Sequence, residues 1–169
     1  MNSILASWNE ADKETALDAM LACCGAHRWA QAMVALRPFS GLENLSLTAD
    51  KVWSIMEETD WLDAFARHPR IGERRSTRDL AKSATWSQQE QSSAATATNQ
   101  VLLELAKGNE LYERRFGFTY IVCATGKSAE EMLTIVNRRL ASDRDTELRE
   151  AAEQQRQIMQ IRIGKWLDE

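Results

Sequence analysis

Phe116-Gly117-Phe118-Thr119-Tyr120-Ile121-Val122-Cys123-Ala124-Thr125-Gly126 is the one stretch of this chain in which a strand competes with helix. Its run of aromatic, β-branched and apolar residues suits an extended backbone. A lone strand has no partner to complete its hydrogen bonds. The expectation is therefore a short, buried, extended segment near 117–124 set between helices, and an all-α fold.

Outward from that segment the helical signals accumulate. Ser128, followed by Glu131 three positions on, has capping-box spacing and opens a helix to about Ala141. The last helix is expected over Thr146–Leu167, with Leu148, Ala152, Gln155, Met159, Arg162 and Ile163 on related faces. Upstream, Ser87–Lys107 reads as one long helix capped by Ser87 and ended or kinked at Gly108, with Glu110–Arg115 following. Ile71–Thr85, rich in charge and small polar groups, reads as a loop with one short turn. Trp61, Leu62 and Phe65 carry a helical pattern up to His68, where Pro69 stops it. Earlier helices are expected over Thr48–Glu58, with Thr48 as N-cap, over Arg28–Leu36, and over Asp12–Cys23 with Gly25 as the stop. With two prolines and no repeat or low-complexity linker, residues 1–169 read as a single helical-bundle domain.

Composition narrows the function. At 169 residues the chain can bury roughly two-thirds of its unfolded surface, enough for a core without staples. The six tryptophans are spread along the chain, as core anchors would be. A net charge of −4, with 21 basic and 25 acidic residues and no basic block, argues against a nucleic-acid partner. Three cysteines, two of them the neighbours Cys23 and Cys24, point to a reducing compartment. The first ten residues lack a signal-peptide pattern, no apolar stretch reaches spanning length, and Trp166-Leu167-Asp168-Glu169 is not a peroxisomal address. The expectation is a cytoplasmic protein with no membrane partner.

No glycine-rich phosphate loop, Cys-x-x-Cys, His-Glu-x-x-His or Gly-x-Ser-x-Gly is present. With only His27 and His68 available, and no carboxylates clustered about either, a metal site is not expected. His68, in Arg67-His68-Pro69-Arg70, either complements a helix C-terminus or faces a cleft where it can move a proton. Ser87, Glu90 and Gln91 share one helical face, as a solvated capping box or as a hydroxyl, carboxylate and amide for one ligand. The unpaired backbone of Tyr120–Ala124 must find partners, either neighbouring side chains or a flat, amide-rich ligand. Arg162, among apolar residues, needs an anion, internal or from a substrate.

Together these features form a pattern: His68-Pro69-Arg70-Ile71-Gly72, then Ser87-x-x-Glu90-Gln91, then Phe116-Gly117-Phe118-x-Tyr120-Ile121-Val122-Cys123-Ala124, then Arg138-Arg139-Leu140-x-x-Asp143-Arg144-x-x-Glu147. It resembles the 2-oxo-4-hydroxy-4-carboxy-5-ureidoimidazoline (OHCU) decarboxylases, over nearly the whole chain and least distinctively in the first third. The resemblance implies a cofactor-free all-α enzyme, usually a homodimer, that forms (S)-allantoin in urate breakdown. It implies that His68 is the catalytic acid or base and Glu90 its partner at the reacting hydroxyl or carboxylate. Pro69, Ser87, Gln91, the backbone of Ile121, Val122 and Cys123, and Arg162 would line the substrate site, with Gln88, Gln89, Tyr120 and Ala124 beside them. Tyr120 stands where the family often has phenylalanine. Two other classes fit the bare sequence: a helical module that binds a partner helix, and a metal-assisted hydrolase of ureides.

Overall fold

The computed structural model describes residues 2–71, 81–92 and 98–169. Among these there are nine helices and no strand: α1 (Ser3–Glu10), α2 (Lys13–Cys23), α3 (His27–Ala35), α4 (Leu42–Ser54), α5 (Glu58–Phe65), α6 (Ala81–Glu90), α7 (Asn99–Phe116), α8 (Ala129–Arg139) and α9 (Arg144–Leu167). No helix among the described residues is long and apolar enough to cross a membrane. The helices group into two compact units, one of residues 1–64 and 156–169, the other of residues 65–155.

The first unit is built around tryptophans. Trp29 is fully buried and its indole N–H donates to the Ala49 carbonyl at 3.1 Å, tying α3 to α4. The Trp8 indole donates to the Ala16 carbonyl at 2.9 Å, while its ring meets Phe39 and, edge-on, Trp166. Each indole thus buries a large apolar area without orphaning its polar atom. Asp12 caps α2 by accepting from the Thr15 N–H, as the expected start at Asp12 requires.

Helix α1 carries no cue used above; Asn2 caps it, accepting from the N–H groups of Ile4 and Leu5. Helix α4 starts at Leu42, not at Thr48, and its N-cap position is Gly41 with no side-chain cap. The buried stripe Leu45, Ala49, Val52 and Trp53 explains this, because packing of an apolar face outweighs a favourable capping residue.

The second unit holds the extended segment. An aromatic cluster encloses it: Tyr112 lies 4.7 Å from Phe116, 5.7 Å from Phe118 and 5.3 Å from Tyr120, and Phe118 meets Phe65 at 5.5 Å. Each such pair contributes about 0.5–1.5 kcal/mol beyond its area. Phe118, Tyr120, Ile121, Val122, Cys123 and Ala124 are all buried, and none is in a strand. The Ser128 capping box forms with both of its reciprocal hydrogen bonds. Asp143 receives the Thr146 N–H at 2.8 Å at the start of α9, two residues earlier than expected.

Two expectations in this unit are corrected. Residues 81–85 are helical instead of loop, and the long helix expected from Ser87 is divided, since α6 ends at Glu90 and α7 begins after Thr98. The remaining positions of those two readings, 72–80 and 93–97, lie outside the described residues. Ser87 is therefore interior to α6 and not its cap; Ser83 and Ser87, one turn apart, are both buried. Thr98 is the cap instead, its hydroxyl accepting from the Val101 N–H.

Gly108 does not end α7, which runs on to Phe116 and stops at Gly117, in the left-handed region at φ 82°. The glycine at 108 serves close packing: a Cβ there would sit 2.9 Å from Val136 Cγ1 of α8. That absent methyl lets α7 and α8 approach, and it outweighs the propensity penalty of about 1 kcal/mol for glycine within a helix.

Candidate active site

His68 follows the last turn of α5, its N–H donating to the Phe65 carbonyl at 3.1 Å. Pro69 is buried behind it. The next two residues fasten this turn to α7: Arg70 makes a two-pronged contact with Glu113 at 2.8 and 2.6 Å, and the Ile71 carbonyl accepts from the Asn109 amide at 3.1 Å. A two-pronged guanidinium–carboxylate contact fixes angle as well as distance. The imidazole is half-buried, with Nε2 2.6 Å from Oε1 of Gln155 on α9.

Helix α6 presents Ser87 and Glu90 on its buried side, with half-buried Gln91 one residue past its end. These three do share a face, as the spacing requires. Gln88 and Gln89 are exposed on the other side. Glu90 is only 8% exposed, and its charge acts on Cys123 of the extended segment.

That segment is held from both flanks. The Cys123 N–H donates to Gln154 Oε1 at 2.8 Å, and the Lys127 ammonium donates to the Cys123 carbonyl at 2.7 Å. The Ile121 carbonyl accepts from Arg139 at 2.5 Å, and the Tyr120 hydroxyl donates to the Met132 carbonyl at 3.1 Å. Among the described residues no hydrogen-bond partner meets the N–H or carbonyl of Val122, which is 4% exposed. Side chains therefore satisfy part of this backbone. Burial raises the Cys123 thiol above its ordinary range, with Lys127 pulling the other way, so the thiol is protonated at neutral pH and unsuited to nucleophilic work.

Beneath the segment lies a buried charge cluster. Arg139 and Glu147, each 1% exposed, are paired through the Arg139 Nε and Nη2 atoms, and the Tyr112 hydroxyl donates to Glu147 at 2.6 Å. The guanidinium also stacks over the rings of Tyr112 and Tyr120, 5.6 and 5.0 Å from their centroids. Burial would drive a proton off Arg139, but its hydrogen-bonded contact with the Glu147 carboxylate outweighs this and holds the guanidinium charged. Burial likewise pushes both phenols far above their usual range, so they act only as neutral hydroxyls.

Arg162 belongs to the first unit, where it is buried at 3% exposure. Its Nη1 donates to the Ala22 carbonyl at 3.4 Å, and its charge acts on Cys24, whose thiol burial pushes up to about 12.

The residues read from sequence thus fall into a definite pattern. His68, Pro69, Ser87, Glu90, Gln91 and Tyr120–Ala124 share the second unit, and contacts on consecutive residues of α9, Gln154 and Gln155, connect His68 with Cys123. Gln154, Lys127 and the Arg139–Glu147 pair were not singled out as site residues. An amide at position 155 amid the apolar positions Leu148, Ala152 and Met159 is a detectable signal, because a buried amide must be hydrogen-bonded. Among the described residues no group of three or more His, Cys, Asp or Glu side chains is placed to hold a metal ion.

The sequence profile of the OHCU decarboxylases matches residues 9–164. The chain belongs to the OHCU decarboxylase family. Its relatives include the uric acid degradation bifunctional protein of Arabidopsis thaliana, 37% identical over 85% of this chain and 44% of that protein. The 2-oxo-4-hydroxy-4-carboxy-5-ureidoimidazoline decarboxylase of Haloferax volcanii is 25% identical over 76% of this chain and 74% of its own length. This family member spans less than half the length of the Arabidopsis protein, and about a third of the Bacillus subtilis uric acid degradation bifunctional protein, with which it is 27% identical. A crystal structure of OHCU decarboxylase in the presence of (S)-allantoin superposes with a TM-score of 0.78 at 34% identity, covering 90% of this chain and 99% of that one. A crystal structure of (S)-allantoin synthase, 14% identical with a TM-score of 0.70, shares the fold.

Proposed function

We propose that this OHCU decarboxylase family member removes CO₂ from 2-oxo-4-hydroxy-4-carboxy-5-ureidoimidazoline and yields (S)-allantoin, with His68 and Glu90 as the catalytic pair. The observation that carries this reading is the common anchorage of the imidazole and the extended segment. His68 and the Cys123 N–H are bonded to adjacent residues of α9, and Glu90 is a buried carboxylate in the same unit.

The substrate holds a carboxylate and a hydroxyl on one ring carbon beside an imine. When the bond to the carboxylate breaks, its electron pair passes into the ring toward the imine, so the ring itself is the electron sink and no cofactor is needed. The hydroxyl carbon becomes a carbonyl, and a proton added to the ureido-bearing carbon completes allantoin. Glu90 orients the hydroxyl or disfavours the nearby carboxylate by like-charge repulsion, and His68 moves the proton. The backbone edge at Val122 suits a flat ring rich in amide groups. Holding the carboxylate out of the ring plane aligns the breaking bond with the ring π system. Delivering the proton to one ring face sets the S configuration. Pro69, Ser87, Gln91 and Tyr120–Ala124 form the remaining proposed substrate surface, while Gln88 and Gln89, exposed on the opposite side of α6, do not join it. Homodimeric assembly and a cytoplasmic location belong to the same reading.

The role of Arg162 as a carboxylate or ureide anchor is a separable part of the proposal. Thermal unfolding with (S)-allantoin tests it: ligand at about a hundred times its Kd adds about 2.7 kcal/mol to stability. We expect that gain in the unaltered protein and a smaller one for Arg162→Ala. An equal gain in the variant removes Arg162 from the site, and no gain in the unaltered protein counts against binding of this product.

A further inference from the structure

Gln155 is fully buried, and its side-chain oxygen lies 2.6 Å from Nε2 of His68. An amide oxygen accepts hydrogen bonds and cannot donate one near neutral pH, so the hydrogen in this contact belongs to the imidazole. The geometry points to Gln155 as a positioning residue that holds His68 in the tautomer protonated at Nε2, leaving Nδ1 as the nitrogen that takes up or gives back a proton during the reaction. This rests on the proposed role of His68 and adds to it the identity of the working nitrogen.

Three features of the site support the assignment. The amide projects from α9, a 24-residue helix, so its anchor is a rigid element and not a loop. The backbone that carries the ring is fixed as well, through the Phe65 carbonyl contact and buried Pro69. The acceptor is also neutral. A carboxylate in its place would favour imidazolium, whereas an amide fixes orientation and tautomer without adding charge, leaving a ring able to take a proton.

The chain has two histidines, His27 and His68, which makes a direct spectroscopic test practical. His27 is exposed and bonded to Asp63 in the first unit, so His27→Gln removes its signal without touching the proposed machinery. With ¹⁵N-labelled histidine, at a pH where the imidazole is neutral, His68 is expected to carry its hydrogen on Nε2. A hydrogen on Nδ1, the result if the amide presented its NH₂ instead, overturns the assignment.

Gln155→Leu provides the second arm. We expect both tautomers to become populated and kcat to fall about 10- to 100-fold, as for loss of a ligand-orienting partner, with KM changed less than about twofold. An unchanged tautomer and unchanged kcat overturn the inference. If the variant does not fold, the spectrum of the His27→Gln protein decides alone. Should His68→Asn remain active, it is the catalytic reading of His68 that fails, while the spectrum still reports whether Gln155 sets the tautomer.

Discussion

Replacing His68 with asparagine is expected to lower kcat by about 10²- to 10⁴-fold, the range that a positioned acid–base group contributes. Asparagine retains a side-chain donor that can reach toward Gln155 but has no group that titrates near neutral pH. The fold should survive, because the turn that carries His68 is fastened by Arg70–Glu113, Ile71–Asn109 and buried Pro69, none of which involves the imidazole. Circular dichroism and thermal unfolding should therefore match the unaltered protein. Single-turnover assays on freshly generated substrate measure the chemical step. A variant with near-normal turnover removes His68 from catalysis, whatever its contacts.

The second large effect is on stability and arises under the site. Arg139→Ala leaves Glu147 buried at 1% exposure without its cation, and breaking a buried pair in this way costs about 3–5 kcal/mol. For a chain of this size that corresponds to a fall in Tm on the order of 10 °C. Because Arg139 also donates to the Ile121 carbonyl, the loss should reach the extended segment and raise KM for any substrate that lies against it. Replacing the whole cluster with apolar groups, Arg139→Met with Glu147→Leu and Tyr112→Phe, removes the orphaned charge and should restore most of the stability while leaving KM raised. A single-variant loss below about 1 kcal/mol would show that the cluster is hydrated and not the buried strut its burial indicates.

How much of this was legible in the sequence differs between elements for physical reasons. Ser128 and Glu131 specify α8 locally, because both halves of a capping box sit within one turn. The extended segment was recognisable from Phe118–Ala124, where β-branched and aromatic residues occur with no second strand to pair. Thr48 misled because a favourable cap is worth about 1 kcal/mol and the stripe from Leu45 to Trp53 buries far more. Gly108 misled because its purpose, contact with Val136, lies on another helix and leaves no trace in local spacing. Ser87 was correctly placed on a face with Glu90 and Gln91, but its helix begins upstream in residues whose composition reads as loop.

The candidate site shows the same division. His68 and Glu90 were accessible from residue type and motif. The partners of Gln154 and Gln155 were not, because they depend on which groups α9 brings to the extended segment and to His68 across some 30 to 90 positions of chain. The motif containing Arg138 to Glu147 carried family information whose physical meaning, a buried ion pair supporting the Ile121 carbonyl, emerged only from packing.

The most direct test of the central claim is chiral analysis of the allantoin formed when the unaltered protein is added to freshly generated 2-oxo-4-hydroxy-4-carboxy-5-ureidoimidazoline. CO₂ release is expected to accelerate, with the S enantiomer in large excess in the product. Racemic allantoin formed at the rate of the protein-free control would contradict that claim.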